Sequence, residues 1–176
     1  FTGLRIGVAA VKGMAQVLDK PCAPVSALEG LAFNLSDRTG ILCPALDARC
    51  GQVYTAWFDA DHGMKRLHED CALMTEDLCH QLAALPPELP ITLLGDGAHL
   101  VLSRMKELYP QRRLLLPGKH LLLQHAHGVG LAALHGIQNG TLQTVSPHQL
   151  VPVYLKLPQA QRELQMKLSL KKTEQQ

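Results

Sequence analysis

The sequence predicts an α/β fold on three observations. Three strand-like runs follow one another at hairpin spacing within residues 41–73, the pattern then switches to alternating helices and strands, and a first helix is apolar on two sides. Strands joined by short turns pair antiparallel, whereas strands separated by helix-length segments pair parallel. A mixed sheet with helices packed on it accommodates both. The 176 residues suffice for one core-bearing domain, or for a domain plus part of another.

The elements follow in order. Over residues 4–18 one apolar row runs Leu4, Val8, Val11, Ala15, Leu18 and a second runs Ile6, Ala10, Gly13, Met14, Val17, leaving Arg5, Lys12, Gln16 and Asp19 as the polar stripe. Such a helix is covered either by a preceding segment or by a partner. Its glycines, each costing roughly 1 kcal/mol of helix propensity, point to close backbone contact. Residues 22–25 read as a short strand, and Ser26-Ala27-Leu28-Glu29 as a capping box opening a helix to 35. The polar loop 36–40 is a candidate lobe boundary. Strands are expected at Ile41–Asp47, Gln52–Asp59 and 64–73, the middle one apolar on both faces and therefore covered on both.

Thr75, ahead of Glu76 and Asp77, is expected to cap a helix over 75–85. After a proline-rich link come a buried strand at 91–94, a Gly95-Asp96-Gly97 turn, a helix over 98–109, a strand at 113–116 and, past Pro117, a helix over 121–135. Residues 151–155 read as extended and 159–170 as an amphipathic helix. This is the element order of a ribonuclease-H-like lobe, the unit duplicated in the actin-like ATPases (the ASKHA group). Three parts are expected: 1–36 as the remnant of an N-terminal lobe, 37–150 as a C-terminal ribonuclease-H-like lobe, and 151–176 as a segment and helix packing back.

Composition removes several function classes. A net charge of +2 is too small to argue for a nucleic-acid footprint, and no run has the apolar length of a membrane span. Cys22, Cys43, Cys50, Cys71 and Cys79 are odd in number and contain no Cys-x-x-Cys pair, as expected of reduced thiols in a cytoplasm. His120, His125, His127 and His135 lack the i, i+4 spacing by which two histidines on one helix share a metal, and are expected to be exposed or capping.

Two carboxylates, Asp47 and Asp96, fall where strands end. A metal nuclease or a nucleotide hydrolase places Mg²⁺ ligands in such positions, because the cation must clamp phosphate oxygens. Gly95 and Gly97 would then let the backbone approach a nucleotide, and Arg49, in a hairpin turn, would meet its phosphate. The same turn also suits pure geometry. No dinucleotide fingerprint, P-loop or nucleophile elbow is present.

Four ordered runs carry a resemblance. They are Phe1-Thr2-Gly3-Leu4-Arg5-Ile6-Gly7, Pro24-Val25-Ser26-Ala27-Leu28, Asp47-Ala48-Arg49-Cys50-Gly51-Gln52-Val53-Tyr54 and Pro152-Val153-Tyr154-Leu155-Lys156. Together they resemble the bacterial TsaB family, also called YeaZ. Its members typically carry Gly-Pro-Gly-Ser-Phe-Thr-Gly-Leu-Arg-Ile-Gly, Asp-Ala-Arg-x-Gly-Glu-Val-Tyr and Pro-x-Tyr-Leu-Arg. Gln52 stands for the usual acid and Lys156 for the usual arginine. Relatives have a further N-terminal segment, so the chain is expected to be a piece of a longer protein.

The resemblance implies a non-catalytic subunit, with no cofactor or metal of its own, in making N6-threonylcarbamoyladenosine beside the anticodon of tRNA. In that family TsaB pairs with TsaD, which performs the transfer and holds its metal with a His-x-x-x-His pair that is missing here. The ATPase TsaE joins them, and a second TsaB copy takes the place of TsaD when TsaD is absent. The resemblance implies no strong direct tRNA binding and no membrane partner. It assigns Leu4, Arg5, Val8, Val11, Lys12 and Ala15 to the partner interface and leaves Asp47, Arg49, Gly95 and Gly97 as a vestigial nucleotide site. The alternative is an autonomous Mg²⁺-dependent nucleotide hydrolase or nuclease using Asp47 and Asp96.

Overall fold

The computed structural model describes residues 2–156; the helix expected over 159–170 lies outside them. Helix α1 is Thr2–Val17 and helix α2 is Ala27–Ala32, continued by a 3₁₀ turn through Leu35. Strands β1 (Ile41–Asp47), β2 (Gln52–Asp59) and β3 (Lys65–Met74) follow, then α3 (Thr75–Ala83), β4 (Ile91–Leu94), α4 (Ala98–Leu108) and α5 (Ala126–Gln138). The sheet has the order β3-β2-β1-β4. β1 pairs antiparallel with β2 and parallel with β4, the mixed sheet that the change of pattern predicts.

The sheet separates two apolar cores. On one face Ile41, Cys43, Ala45, Val53 and Leu93 pack against Leu78 and Leu82 of α3 and Val101 and Met105 of α4. On the other Leu42, Ala56, Phe58 and Leu94 meet Leu28 and Leu31 of α2 and Ala132 of α5. Side chains alternate across a strand, so the nearly continuous apolar run of β2 serves both cores. Burying these side chains at roughly 25 cal/mol per Å² is the main driving force for the fold.

Four local expectations are corrected. The strand at 22–25 is a single antiparallel bridge between Cys22 and Val145, and the strand at 113–116 is a single parallel bridge between Thr92 and Leu115. There Leu115 donates to Ile91 at 2.8 Å and accepts from Leu93 at 2.9 Å, before Pro117 turns the chain away. The helix expected from 121 begins at 126, because the Asn34 amide takes the Leu123 carbonyl at 2.8 Å and His125 stays extended. Thr75 is the first helical residue rather than the cap: its hydroxyl donates to the Gly51 carbonyl at 2.8 Å, and Met74 occupies the cap position.

The capping box at Ser26 is half formed. Ser26 Oγ accepts from the Leu28 and Glu29 amides at 3.2 and 3.3 Å. Glu29 does not reach back; its carboxylate accepts from Arg66 at 2.7 Å, a charge-assisted bond stronger than one to a neutral amide.

Candidate functional site

Helix α1 is the element the core leaves out. Among the described residues it has no buried side chain, and its contact with the rest of the chain is the 3₁₀ turn Pro147–Gln149 and its neighbours. Val8, Lys12 and Ala15 are half-buried on that side. Leu4 and Val11 are 50% and 45% exposed. The second apolar row is more open still, with Ile6, Met14 and Val17 exposed by 66%, 60% and 86%. A β-carbon on Gly3, Gly7 or Gly13 would meet nothing within 4 Å. Of the residues assigned to an interface from sequence, Arg5 and Lys12 turn toward the chain itself: Arg5 Nε donates to the Tyr154 hydroxyl at 2.8 Å and Lys12 Nζ to the His148 carbonyl at 3.2 Å.

The second candidate region lies at the end of β1. The Asp47 amide donates to Asp96 Oδ1 at 2.9 Å, so the two carboxylate-bearing turns meet. Asp47 Oδ1 accepts from the Arg49 amide at 2.8 Å and its Oδ2 from the Arg49 guanidinium at 3.1 Å. Arg49 and Cys50 both have positive φ, 64° and 54°, and the Arg49 guanidinium is largely exposed beside Asp47. Gly95 and Gly97 face β1. Their amides donate to the Leu122 carbonyl at 2.7 Å and the Ala45 carbonyl at 3.0 Å, and a β-carbon on Gly95 would stand 2.3 Å from the Ala45 oxygen. The close approach these glycines permit is between strand and turn, and their amide protons are engaged within the domain.

The polar network that sequence reading missed centres on Arg66. Its guanidinium bonds Glu29 at 2.7 Å and Asp70 at 2.5 Å and lies 4.7 Å from the Phe58 ring centre. Burial works against its charge, but the hydrogen bonds to Asp70 and Glu29 outweigh this and raise its pKa. The signal was Arg66 and Asp70 four residues apart on what reads as a strand, a spacing usually scored only on helices. Among the described residues no group of three or more His, Cys, Asp or Glu side chains could hold a metal, and no helix is long and apolar enough to cross a membrane. His120 and His125 lie close together instead, His125 Nε2 being 2.5 Å from the His120 carbonyl. His135 packs on Phe33, and His127 is exposed.

The described residues thus form a mixed α/β lobe, a sheet between two helical layers with an apolar helix standing outside both cores. The family model described as TsaD, tRNA N6-adenosine threonylcarbamoyltransferase, matches residues 1–106. The tRNA threonylcarbamoyladenosine biosynthesis protein TsaB of Bacillus subtilis (strain 168) is 30% identical over 169 residues, covering 92% of this chain and 67% of that protein. The TsaB of Escherichia coli (strain K12) is 28% identical over 151 residues, covering 74% and 65%. Among solved structures, a Pseudomonas aeruginosa protein described as similar to peptidase YeaZ superposes with a TM-score of 0.70 at 28% identity, covering 89% of this chain and 68% of that one. YeaZ from the same organism superposes at 0.68 and 28%, covering 88% and 69%. The chain belongs to the TsaB (YeaZ) family. It spans about two thirds of the length of these relatives.

Proposed function

We propose that this chain acts in the biosynthesis of N6-threonylcarbamoyladenosine next to the anticodon of tRNA, as a non-catalytic subunit that binds and activates a TsaD-type transferase. The observation that carries the reading is α1, an apolar helix with no buried side chain among the described residues. An exposed apolar face of this size favours a protein partner over water. The match of a TsaD model to residues 1–106, which include α1, supports a partner of related architecture. Two such chains can pair through equivalent helices around an approximate twofold axis.

In this reading TsaE joins through the assembly, a second copy of this chain occupies the TsaD position when TsaD is absent, and tRNA is held by the partner in the cytoplasm. The fold is of the ribonuclease-H-like, ASKHA type. Residues 37–150 form its C-terminal lobe, 1–36 a remnant of the other lobe and 151–176 an extension. Asp47, Arg49, Gly95 and Gly97 are the trace of a nucleotide site, with Arg49 the one of the four whose side chain is turned outward.

The test is the mass in solution of the chain, alone and mixed with TsaD from the same organism, by light scattering on a sizing column. A one-to-one heterodimer is expected, and two separate species at micromolar concentration would overturn the reading. The meeting of Asp47 and Asp96 supports a second reading, a Mg²⁺-dependent nucleotide hydrolase or nuclease. That reading requires Mg²⁺-dependent turnover that disappears in Asp47→Asn.

A further inference from the structure

Three of the four sequence runs singled out above meet at one place that neither partner docking nor a nucleotide remnant explains. The run at residues 1–7 contributes Arg5, the run at 47–54 contributes Ala48 and Tyr54, and the run at 152–156 contributes Tyr154 and Lys156. Arg5 Nε donates to the Tyr154 hydroxyl at 2.8 Å, and its guanidinium lies 5.6 Å from the Tyr154 ring centre. Two residues on, Lys156 Nζ donates to the Ala48 carbonyl at 2.8 Å and lies 5.7 Å from the Tyr54 ring centre. Earlier in the same segment the His148 carbonyl accepts from Lys12, and Val145 exchanges two backbone hydrogen bonds with Cys22, each of 2.8 Å.

These contacts are ordered along the chain. Residue 145 is held by 22, 148 by 12 and 154 by 5, so the segment runs antiparallel beside α1 from its C-terminal end to its first turns. It then ends on the turn between β1 and β2. A helix of sixteen residues is marginal in water unless one of its faces is packed, and α1 contributes nothing to either core. Among the described residues, this segment supplies the contacts that set it.

We infer that residues 145–156 are a strap that fixes α1 relative to the β1–β2 turn, with Arg5, Lys12, Tyr154 and Lys156 as its positioning residues. The strap side of α1 carries Val8, Lys12 and Ala15, which leaves the row Ile6, Ala10, Met14 and Val17 outward as the surface for a second apolar helix. The inference rests on the docking role proposed for α1 and adds the device that orders the helix before its partner arrives. Ordering before contact lowers the entropy lost on association. It also accounts physically for the Pro152–Lys156 run, in which the hydroxyl of residue 154 receives the α1 guanidinium and the cation of residue 156 caps a carbonyl of the turn.

The test is amide hydrogen exchange on the whole chain, in the wild type, in the double variant Tyr154→Phe/Lys156→Met and in Lys156→Arg. The expected result is an increase of about tenfold in exchange across Thr2–Val17 in the double variant, with β1 and β2 amides unchanged and Lys156→Arg close to wild type. Unchanged α1 exchange in the double variant overturns the strap. So does a wild-type α1 that already exchanges at the rate of a free peptide, or a Lys156→Arg variant as unprotected as the double one. Exchange is read on the chain by itself, so a protected α1 that pairs with nothing would overturn the docking role and leave the strap standing.

Discussion

Gly95 approaches Ala45 so closely that a β-carbon on it would stand 2.3 Å from the Ala45 carbonyl oxygen, in a backbone conformation, φ +94°, that side chains rarely adopt. This contact joins the turn after β4 to the middle of β1, and through it α4 is set on the sheet. Gly95→Ala therefore meets both a steric and a conformational obstacle, and a loss of about 2–4 kcal/mol in urea unfolding is expected. Gly13→Ala in α1, where a β-carbon meets nothing within 4 Å, should instead stabilise the helix by up to about 1 kcal/mol. Equal effects at the two positions would contradict the packing described.

Arg66 ties α2 to β3 through Glu29 and, within the strand, through Asp70. Arg66→Met keeps the stem over Phe58 but leaves two carboxylates about a quarter exposed without their cation. A loss of about 1–3 kcal/mol is expected, below the cost of a fully buried pair because water still screens it. Comparing Arg66→Met with Glu29→Gln and the double variant isolates the coupling, and a coupling near zero would show that the pair adds nothing.

On α1, Ile6→Asp and Met14→Asp are expected to abolish pairing while changing the unfolding free energy of the domain by less than about 0.5 kcal/mol, since both side chains are exposed. Val8→Asp and Val11→Asp probe the row assigned to the interface from sequence. Val8 lies half-buried on the strap side, so its replacement should loosen α1 itself as well as its pairing. Light scattering and far-ultraviolet circular dichroism on the four variants separate the two effects.

Burial pushes the Cys43 thiol up to about 12, with the hydrogen bond it shares with the Thr55 hydroxyl opposing it, and the Cys79 thiol up to about 11. The folded state therefore keeps these protons where the unfolded chain releases them near pH 9. Their contribution to stability is full below about pH 9 and is lost as the pH rises to 11 and then 12. Stability measured against pH should fall through that window. A thiol reagent at neutral pH should modify the exposed Cys50 first and reach Cys43 and Cys79 only after denaturation. Rapid modification of Cys43 in the native chain would refute the closed core.

The sheet was readable because its strands advertise themselves. Ile41–Asp47 and Gln52–Asp59 are apolar runs ended by an aspartate and a turn, and the structure returns the same limits. The strands at 22–25 and 113–116 were overread because β propensity in four residues says nothing about whether a neighbour has an edge to offer; each finds one bridging partner. The start of α5 was misplaced for a similar reason, since Asn34, about ninety positions earlier, takes the carbonyl that would have served the first turn. At the site, the two apolar rows of α1 were legible, but not which faces outward. That choice depends on Tyr154 and His148, whose contacts with Arg5 and Lys12 no local pattern encodes.

The hydrogen bond between Arg5 and Tyr154 joins residues 149 positions apart. During synthesis α1 leaves the ribosome before the sheet does, and the residues that hold it are made only after the sheet is complete. Until residues 145–156 emerge its apolar rows have no strap, so a nascent-chain chaperone or a partner subunit would meet this helix before the strap does. The order of birth thus runs opposite to the order of assembly: α1 is made before the sheet and the strap, and takes its place only once the sheet has closed and the strap is drawn across.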